Sequence, residues 1–272
     1  MPTLPLPISF KLKVAVALAC VREDISYIRH YRRNRSTHPG LKTVLKDLNE
    51  TGYHVLRNCY DRAACAEIRS EIDSLVANYP DRIEVDSAHS DHRIWGGERA
   101  SEQVRAFHDD PTLATFAKAY LKTDVGNMTT LAAKVVAKPN NLGSGGGWHR
   151  DSMYEKQIKA ILYLSDVSDD NGPFQYVVGS NTKASVLRTL DLHHGANLKR
   201  FLSDDLEPWC QRHQERIETI TGSAGDVILV DTRGLHRGKP IVSETRYALT
   251  NYYSAAHRVD ELAPDFRKLA KF

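Results

Sequence analysis

The apolar residues of this chain change period near Asn127. Before it they recur at steps of three and four, and beyond it they fall into short runs: Met128 to Val136, Ile158 to Leu164, Phe174 to Val178, Ile217 to Ile220, Val227 to Val230 and Tyr247 to Tyr253. Turn-forming residues separate the runs, at Asp170-Asn171-Gly172-Pro173, Gly179-Ser180-Asn181, Gly222 to Gly225 and Gly238-Lys239-Pro240. A chain that spends its second half on short strands must close them into a sandwich or barrel, with the earlier helices packed outside. The expected fold class is therefore mainly β with flanking helices.

In the first half, Leu41, Val44, Leu45 and Leu48 predict a helix ending before Gly52. "YHVLRNCY" alternates like a strand, and Ala63 to Val76 returns to helical spacing. Asp81 to Arg99 reads as a polar loop, and Asp110-Pro111 as the capped start of a helix through Leu121. Residues 182–216 interrupt the strands with mixed helical character, as a lid-like insertion would. The chain divides into a basic amphipathic segment, 1–40, and a domain, 41–272, with core strands over about 128–254.

In the segment, Phe10, Val14, Leu18, Val21, Ile25 and Ile28 form one apolar helical stripe, with Arg22, Arg29, Arg32, Arg33 and Arg35 clustered towards its end. Two readings stand: the stripe packs against the domain or a second subunit, or residues 10–35 lie on an anionic membrane surface. Its longest apolar run, Val14 to Val21, is less than half of the roughly 20 residues a bilayer span requires. "VAVALAC" is too short and wrongly ordered for a lipoprotein signal.

Basic residues exceed acidic ones by only +3, which selects no nucleic-acid partner. Cys20, Cys59, Cys65 and Cys210 show no zinc-like spacing, so free, mostly buried thiols in a reducing cytoplasm are expected.

Among 12 histidines, three open an HxD triplet: His89-Ser90-Asp91, His108-Asp109-Asp110 and His149-Arg150-Asp151. Residues i and i+2 of an extended segment share a face, so such a pair can grip one metal ion. His89 sits in a polar loop and Asp110 serves better as a helix cap. His149 lies where "GSGGG" runs into a strand, the mouth of a barrel. That loop has no Lys-Ser/Thr pair behind it and is no phosphate cradle. A third ligand is His236 in "GDVILVDTRGLHRGKP", which two strands of one barrel would bring to His149. Two imidazoles and one carboxylate make a facial triad with three positions left open on Fe(II). Arg246 returns on a neighbouring strand and is suited to holding a carboxylate by two parallel hydrogen bonds.

"WHRD", "LSDVSDDNGPFQYVVGSN" and "GDVILVDTRGLHRGKP" followed by Arg246 resemble the phytanoyl-CoA dioxygenase-like branch of the Fe(II)/2-oxoglutarate oxygenases, over about residues 128 to 254. The resemblance implies a double-stranded β-helix, or cupin-like jelly roll. It implies His149, Asp151 and His236 as iron ligands and Arg246 on the distal carboxylate of 2-oxoglutarate. Two iron positions go to 2-oxoglutarate and the third to O2; succinate and CO2 leave, and a substrate C–H becomes C–OH. Related halogenases replace the carboxylate ligand by a small residue, so Asp151 favours hydroxylation. The chain departs from many relatives at Gly238, where they carry a hydroxyl, and at Ile161, where they carry an aromatic ring.

Lys134 and Lys159 are candidate contacts to the anionic cofactor or substrate. Trp148 and Tyr154 are candidate pocket walls, with barrel packing as the alternative. Lys199-Arg200, with Arg188, would suit an acidic substrate, and His193-His194 a polar lid. The expected activity is hydroxylation of a small or lipid-linked substrate, anionic, sugar or acyl, by a cytoplasmic enzyme that rests peripherally on the inner membrane face or forms a homo-oligomer. The alternative is a cupin-like binding or sensing protein that keeps metal without turnover.

Overall fold

The computed structural model describes residues 10–33, 36–194 and 197–272. Arg35 of the basic cluster, and Gly195 and Ala196 of the insertion, lie outside them. Among the described residues the helices are α1 (Phe10–Arg29), α2 (Leu41–Glu50), α3 (Arg62–Asn78), α4 (Gly97–Ala100), α5 (Glu102–His108), α6 (Pro111–Leu121), α7 (Lys183–Thr189), α8 (Ser203–Arg212) and α9 (Ala256–Leu269). The strands are β1 (Tyr53–Leu56), β2 (Glu84–Val85), β3 (Asp91–Trp95), β4 (Val125–Val136), β5 (Ile158–Tyr163), β6 (Phe174–Val177), β7 (His193–His194), β8 (Asn197–Phe201), β9 (Ile217–Ile220), β10 (Val227–Asp231), β11 (His236–Gly238) and β12 (Thr245–Ala255).

Seven strands form an antiparallel sheet in the order β1-β10-β5-β12-β4-β3-β2. A smaller sheet, β11-β6-β9, lies against it. The backbone of His149 bridges β11 at His236 and β8 at Arg200, which joins the β7-β8 hairpin to the smaller sheet.

Alternation along the central strands sorts their side chains between two cores. Ile158, Ala160 and Leu162 of β5, with Val227 and Leu229 of β10 and Leu249 of β12, pack under Leu48, Ile72, Phe107, Leu113 and Phe116 of the outer helices. Ile161, Tyr163, Ile228, Val230 and Ala248 point the other way, against Phe174 and Tyr176 of the smaller sheet. Each fully buried aliphatic side chain contributes on the order of 1.5–3 kcal/mol of transfer free energy. The jelly roll expected from the resemblance is the observed fold.

The helices start where capping residues let them. Asp110 accepts hydrogen bonds from the amides of Thr112 and Leu113, and Asp61 accepts from Ala63 and Ala64. Asp81 to Arg99, read as a polar loop, instead contains β2 and β3 at the edge of the large sheet. Their inward-pairing charges, Arg93 with Glu84 and Asp91, hide the apolar alternation a strand usually shows and suit an edge. Helix α9 carries Pro264 inside it, which hides its helical pattern in the sequence. Of the thiols, Cys20, Cys65 and Cys210 are buried and Cys59 is exposed.

Helix α1 requires a correction. It docks on α7 through Val16 and Cys20, which pack with Val186, Leu190, Leu12 and Met153. Tyr27 donates its hydroxyl to the Lys156 carbonyl at 2.8 Å, Lys13 pairs with Asp191 at 2.5 Å, and Lys183 pairs with Asp24. The apolar stripe of Phe10, Val14, Leu18, Val21, Ile25 and Ile28 is on the opposite side and exposed, so of the readings offered by the sequence it is packing against the domain that the structure overturns. The sequence holds two apolar faces on this helix, and only the smaller residues Val16 and Cys20 fit close against α7.

Candidate metal centre and its cavity

The glycine-rich loop before His149 shapes the approach to the site. Gly145 has φ +86°, and a Cβ there would stand 2.6 Å from Cε1 of the His149 ring. Gly143 has φ +74°, and its Cβ would run into the Gly238 carbonyl. Conversely, a Cβ at Gly238 would meet Ser144, at 3.0 Å from its Cβ. The space beside Gly238 is thus taken by Ser144, arriving from the loop.

Beyond the loop, His149 and His236 exchange both backbone hydrogen bonds at 2.9 Å, and the Asp151 amide donates to Thr232 O at 3.0 Å. This extended geometry turns His149 and Asp151 to one face and Arg150 to the other. Arg150 is buried, donating to Ser180 O at 2.7 Å, Thr189 Oγ1 at 2.8 Å and Arg233 O; burial pulls its pKa down to about 10.

Ligand atoms of His149, Asp151 and His236 lie within 4.8 Å of one another. Asp151 Oδ1 is 3.7 Å from His149 Nε2 and 4.0 Å from His236 Nε2. Each imidazole hydrogen-bonds through Nδ1 to a carbonyl two residues back, Gly147 O and Gly234 O, at 2.9 Å. With Nδ1 as the donor, each ring presents an Nε2 lone pair to the common point, the state a divalent ion requires. Burial drives His149 well below the ordinary histidine value, with His236 adding to the effect, and pulls His236 to about 4. Burial alone would raise Asp151, but the charges of Lys159, His236 and His149 hold it well below the usual carboxylate range.

The second Asp151 oxygen faces Lys159, whose ammonium forms an ion pair with Oδ2 at 2.6 Å and stands 4.5 Å from the centroid of the Tyr252 ring. Burial opposes the charge on Lys159, yet Asp151 and Tyr252 together raise its pKa. Lys159 therefore belongs to the cluster as the ion-pair partner of the candidate ligand Asp151. Lys134 does not. Its register partner is Tyr247, on the helix-facing side of β12, and its ammonium pairs with Asp73 of α3 at 2.6 Å. A one-residue step in β4 separates it from the cavity side, which Leu131 and Ala133 line.

Arg246 sits one residue from Tyr247 and so faces inward. Its guanidinium is buried, donates to the Gly172 carbonyl and leaves Nε without a partner. A buried donor left unpaired costs about 1–3 kcal/mol, which a bound carboxylate would relieve. Arg246 and the three-residue cluster line one cavity of about 480 Å³, as do Ile161 and Gly238. Trp148 faces away from it, with its indole donating to Glu207 Oε1 at 3.0 Å and Arg237 stacked 4.6 Å from the ring centroid. Tyr154 borders only an adjoining surface groove. His89 and His108 stand elsewhere; His108 Nδ1 bonds Thr130 Oγ1 at 2.8 Å.

The sequence reasoning missed two features. Arg93 also lines the cavity, though it came from a stretch read as loop. Asp231 anchors the turn that delivers His236: it is fully buried, binds Arg233 at 2.8 Å and Tyr120 at 2.7 Å, and its carbonyl accepts from Tyr176 at 2.8 Å. An Asp at the end of an apolar strand was the available signal for Asp231.

The fold and this cluster together define a jelly-roll protein with a candidate two-histidine, one-carboxylate metal centre beside a buried guanidinium. The model of the phytanoyl-CoA dioxygenase (PhyH) family matches residues 48–248, and the chain belongs to that family. No curated protein matches it. Among solved structures it is similar to the epimerase SnoN in complex with Fe3+, alpha ketoglutarate and nogalamycin RO, at 17% identity over 80% of this chain and 84% of that one, TM-score 0.64. HygX from Streptomyces hygroscopicus with nickel, 2-oxoglutarate and hygromycin B bound aligns at 16% identity, 79% and 87% coverage and TM-score 0.56. EctD from S. alaskensis in its apoform aligns at 18% identity, 83% and 81% coverage and TM-score 0.61.

Proposed function

We propose that the chain is an Fe(II)- and 2-oxoglutarate-dependent dioxygenase that hydroxylates an unactivated C–H of an anionic small or lipid-linked substrate. The observation that carries this reading is the convergence of His149, Asp151 and His236 in one cavity with the unpartnered Nε of Arg246. The donor set suits ferrous iron, which would supply oxidative decarboxylation of 2-oxoglutarate by O2 to succinate and CO2. The protein's own part is positional. His149, Asp151 and His236 hold the ion, Lys159 holds Asp151 ionised, and Arg246 anchors the distal carboxylate of 2-oxoglutarate. SnoN and HygX are described with alpha ketoglutarate or 2-oxoglutarate and a small molecule, in agreement with this reading.

The substrate charge is read from Lys199 and Arg200, which line the same cavity from β8. Arg200 donates only to the carbonyls of Gly145 and Gly146, and Lys199 to the Asp151 carbonyl at 3.1 Å. No carboxylate pairs with either among the described residues, so two cations remain for a carboxylate or phosphate of the substrate. Glu155, another acid lining the cavity, is engaged by Ser254 at 3.2 Å and Arg258 at 3.8 Å, and Asp151 is occupied by the metal cluster and Lys159.

The test is anaerobic titration of the Fe(II) protein with 2-oxoglutarate, followed by addition of O2. A metal-to-ligand charge-transfer band and O2-dependent succinate are expected, both lost in Asp151→Ala. Metal binding without either signal returns the chain to the binding-protein alternative. With substrate, a product heavier by one oxygen atom marks hydroxylation, and an unchanged mass marks epimerisation.

A further inference from the structure

Helix α1 is held to the domain by one face and leaves the other uncovered. Phe10, Val14, Leu18, Val21, Ile25 and Ile28 are exposed, from 40% at Val14 to 81% at Phe10. At 3.6 residues per turn they fall within an arc of about 80°, a continuous apolar band along the helix. Lys11, Arg29 and Arg22 follow within about 40° of one edge of that band. All three are exposed, and no ion pair among the described residues uses them. Exposed Arg33 and Arg32, the latter 3.5 Å from Asp124, continue the charge past the helix end.

We propose that this face of α1 lies on an anionic phospholipid surface, with the apolar band entering the acyl boundary and the basic edge at the headgroups. The charge pattern selects this occupant. A second copy of the chain would present the same face, and α1 has no carboxylate free to answer its cations: Glu23 is buried, and Asp24 is taken by Lys183. An anionic bilayer supplies both an apolar layer and a uniform negative charge. No helix among the described residues is long and apolar enough to cross a membrane, so the contact is in the surface plane. The packed face of the same helix touches Met153 and Lys156, beside Ser152 and Glu155 of the cavity. Attachment would therefore hold the cavity near the bilayer, within reach of a lipid-borne substrate. The inference stands on α1 alone and does not require the metal centre.

The experiment is co-sedimentation of the full chain with vesicles of phosphatidylcholine, alone or mixed with phosphatidylglycerol. The wild type is expected to pellet with the mixed vesicles only. The double variant Leu18→Asp, Val21→Asp removes the band, and the triple variant Lys11→Gln, Arg22→Gln, Arg29→Gln removes the edge. Both alter exposed positions, and an unchanged thermal midpoint confirms that each is folded. Each cation is expected to account for about a fivefold change in partitioning, so the triple variant loses on the order of a hundredfold. Absence of pelleting, equal pelleting with both vesicle types, or variants that pellet like the wild type would overturn the proposal. A dimer seen by light scattering that Leu18→Asp, Val21→Asp dissolves, without vesicle binding, would assign the face to a second copy instead. Uncoupled succinate formation, measured in the same variants, stays at the wild-type level in every case and separates this test from that of the catalytic reading.

Discussion

His149 and His236 exchange both of their backbone hydrogen bonds, at 2.9 Å each way, and their ring centroids stand 4.2 Å apart. The distance between the two imidazoles is therefore set by an antiparallel backbone bridge and not by side-chain flexibility. A site prepared in this way has little ordering left to do when an ion arrives.

Replacing His236 by Gln should consequently lower divalent metal affinity by more than about a hundredfold, beyond the 10–100-fold typical of outer positions, while unfolding is little changed. Isothermal titration with Mn2+ would measure it. Affinity within tenfold of the wild type would place the ion elsewhere.

The pH dependence of metal binding follows from the same burial. Burial pulls His236 to about 4 and His149 well below its ordinary value, so both rings are already neutral in the metal-free protein above that range. Protons then compete with metal only as the pH falls through the depressed values, and affinity should be flat between about pH 6 and about pH 8. An exposed histidine site would weaken steadily over that interval, which titrations at three pH values would reveal.

Arg246→Lys keeps the charge and removes the fork. The expected result is a 2-oxoglutarate dissociation constant raised about 10- to 100-fold, corresponding to the loss of one charge-assisted hydrogen bond of roughly 1.5–3 kcal/mol. Metal affinity measured without 2-oxoglutarate should not move.

Arg200→Ala should separate substrate from co-substrate. Uncoupled succinate formation and 2-oxoglutarate affinity should be retained, whereas KM for an anionic substrate rises by about tenfold or more. A parallel loss of 2-oxoglutarate binding would transfer Arg200 to the co-substrate.

Asp231→Asn tests the turn under His236. Asp231 is fully buried, which would raise its carboxyl, but the Arg233 charge together with hydrogen bonds from Arg233 and Tyr120 holds it low. The variant strands a buried guanidinium, and a destabilisation of about 3–5 kcal/mol is expected in urea unfolding. Tyr120→Phe, which removes one hydrogen bond to the same carboxylate, should cost only about 1 kcal/mol.

The strands of the core were legible because their two faces meet two apolar layers, so Ile158 to Leu164, interrupted only by Lys159, and Val227 to Val230 read as apolar runs. The metal triad was legible because a two-residue step and a following apolar strand constrain His149, Asp151 and His236. Lys134 misled because β4 contacts the cavity and the helices on alternate residues, and its phase depends on pairing with β12, which a single strand does not reveal. In α1 both faces are apolar, and periodicity found the longer one while packing used the one with the smaller side chains. Arg93 and Arg200 come from segments whose polar composition conceals that they are strands.

Helix α1 also acts as a cover. Val186 and Leu190 of the insertion are buried against Val16 and Cys20, so a chain trimmed to begin at Leu41 would do more than shed its amino-terminal arm. It would bare an oily seam beside the cavity and loosen Met153 and the residues next to it. Clumping of such a shortened protein would be expected from that seam alone, and membrane questions are better put to point variants on the outward side of an intact helix.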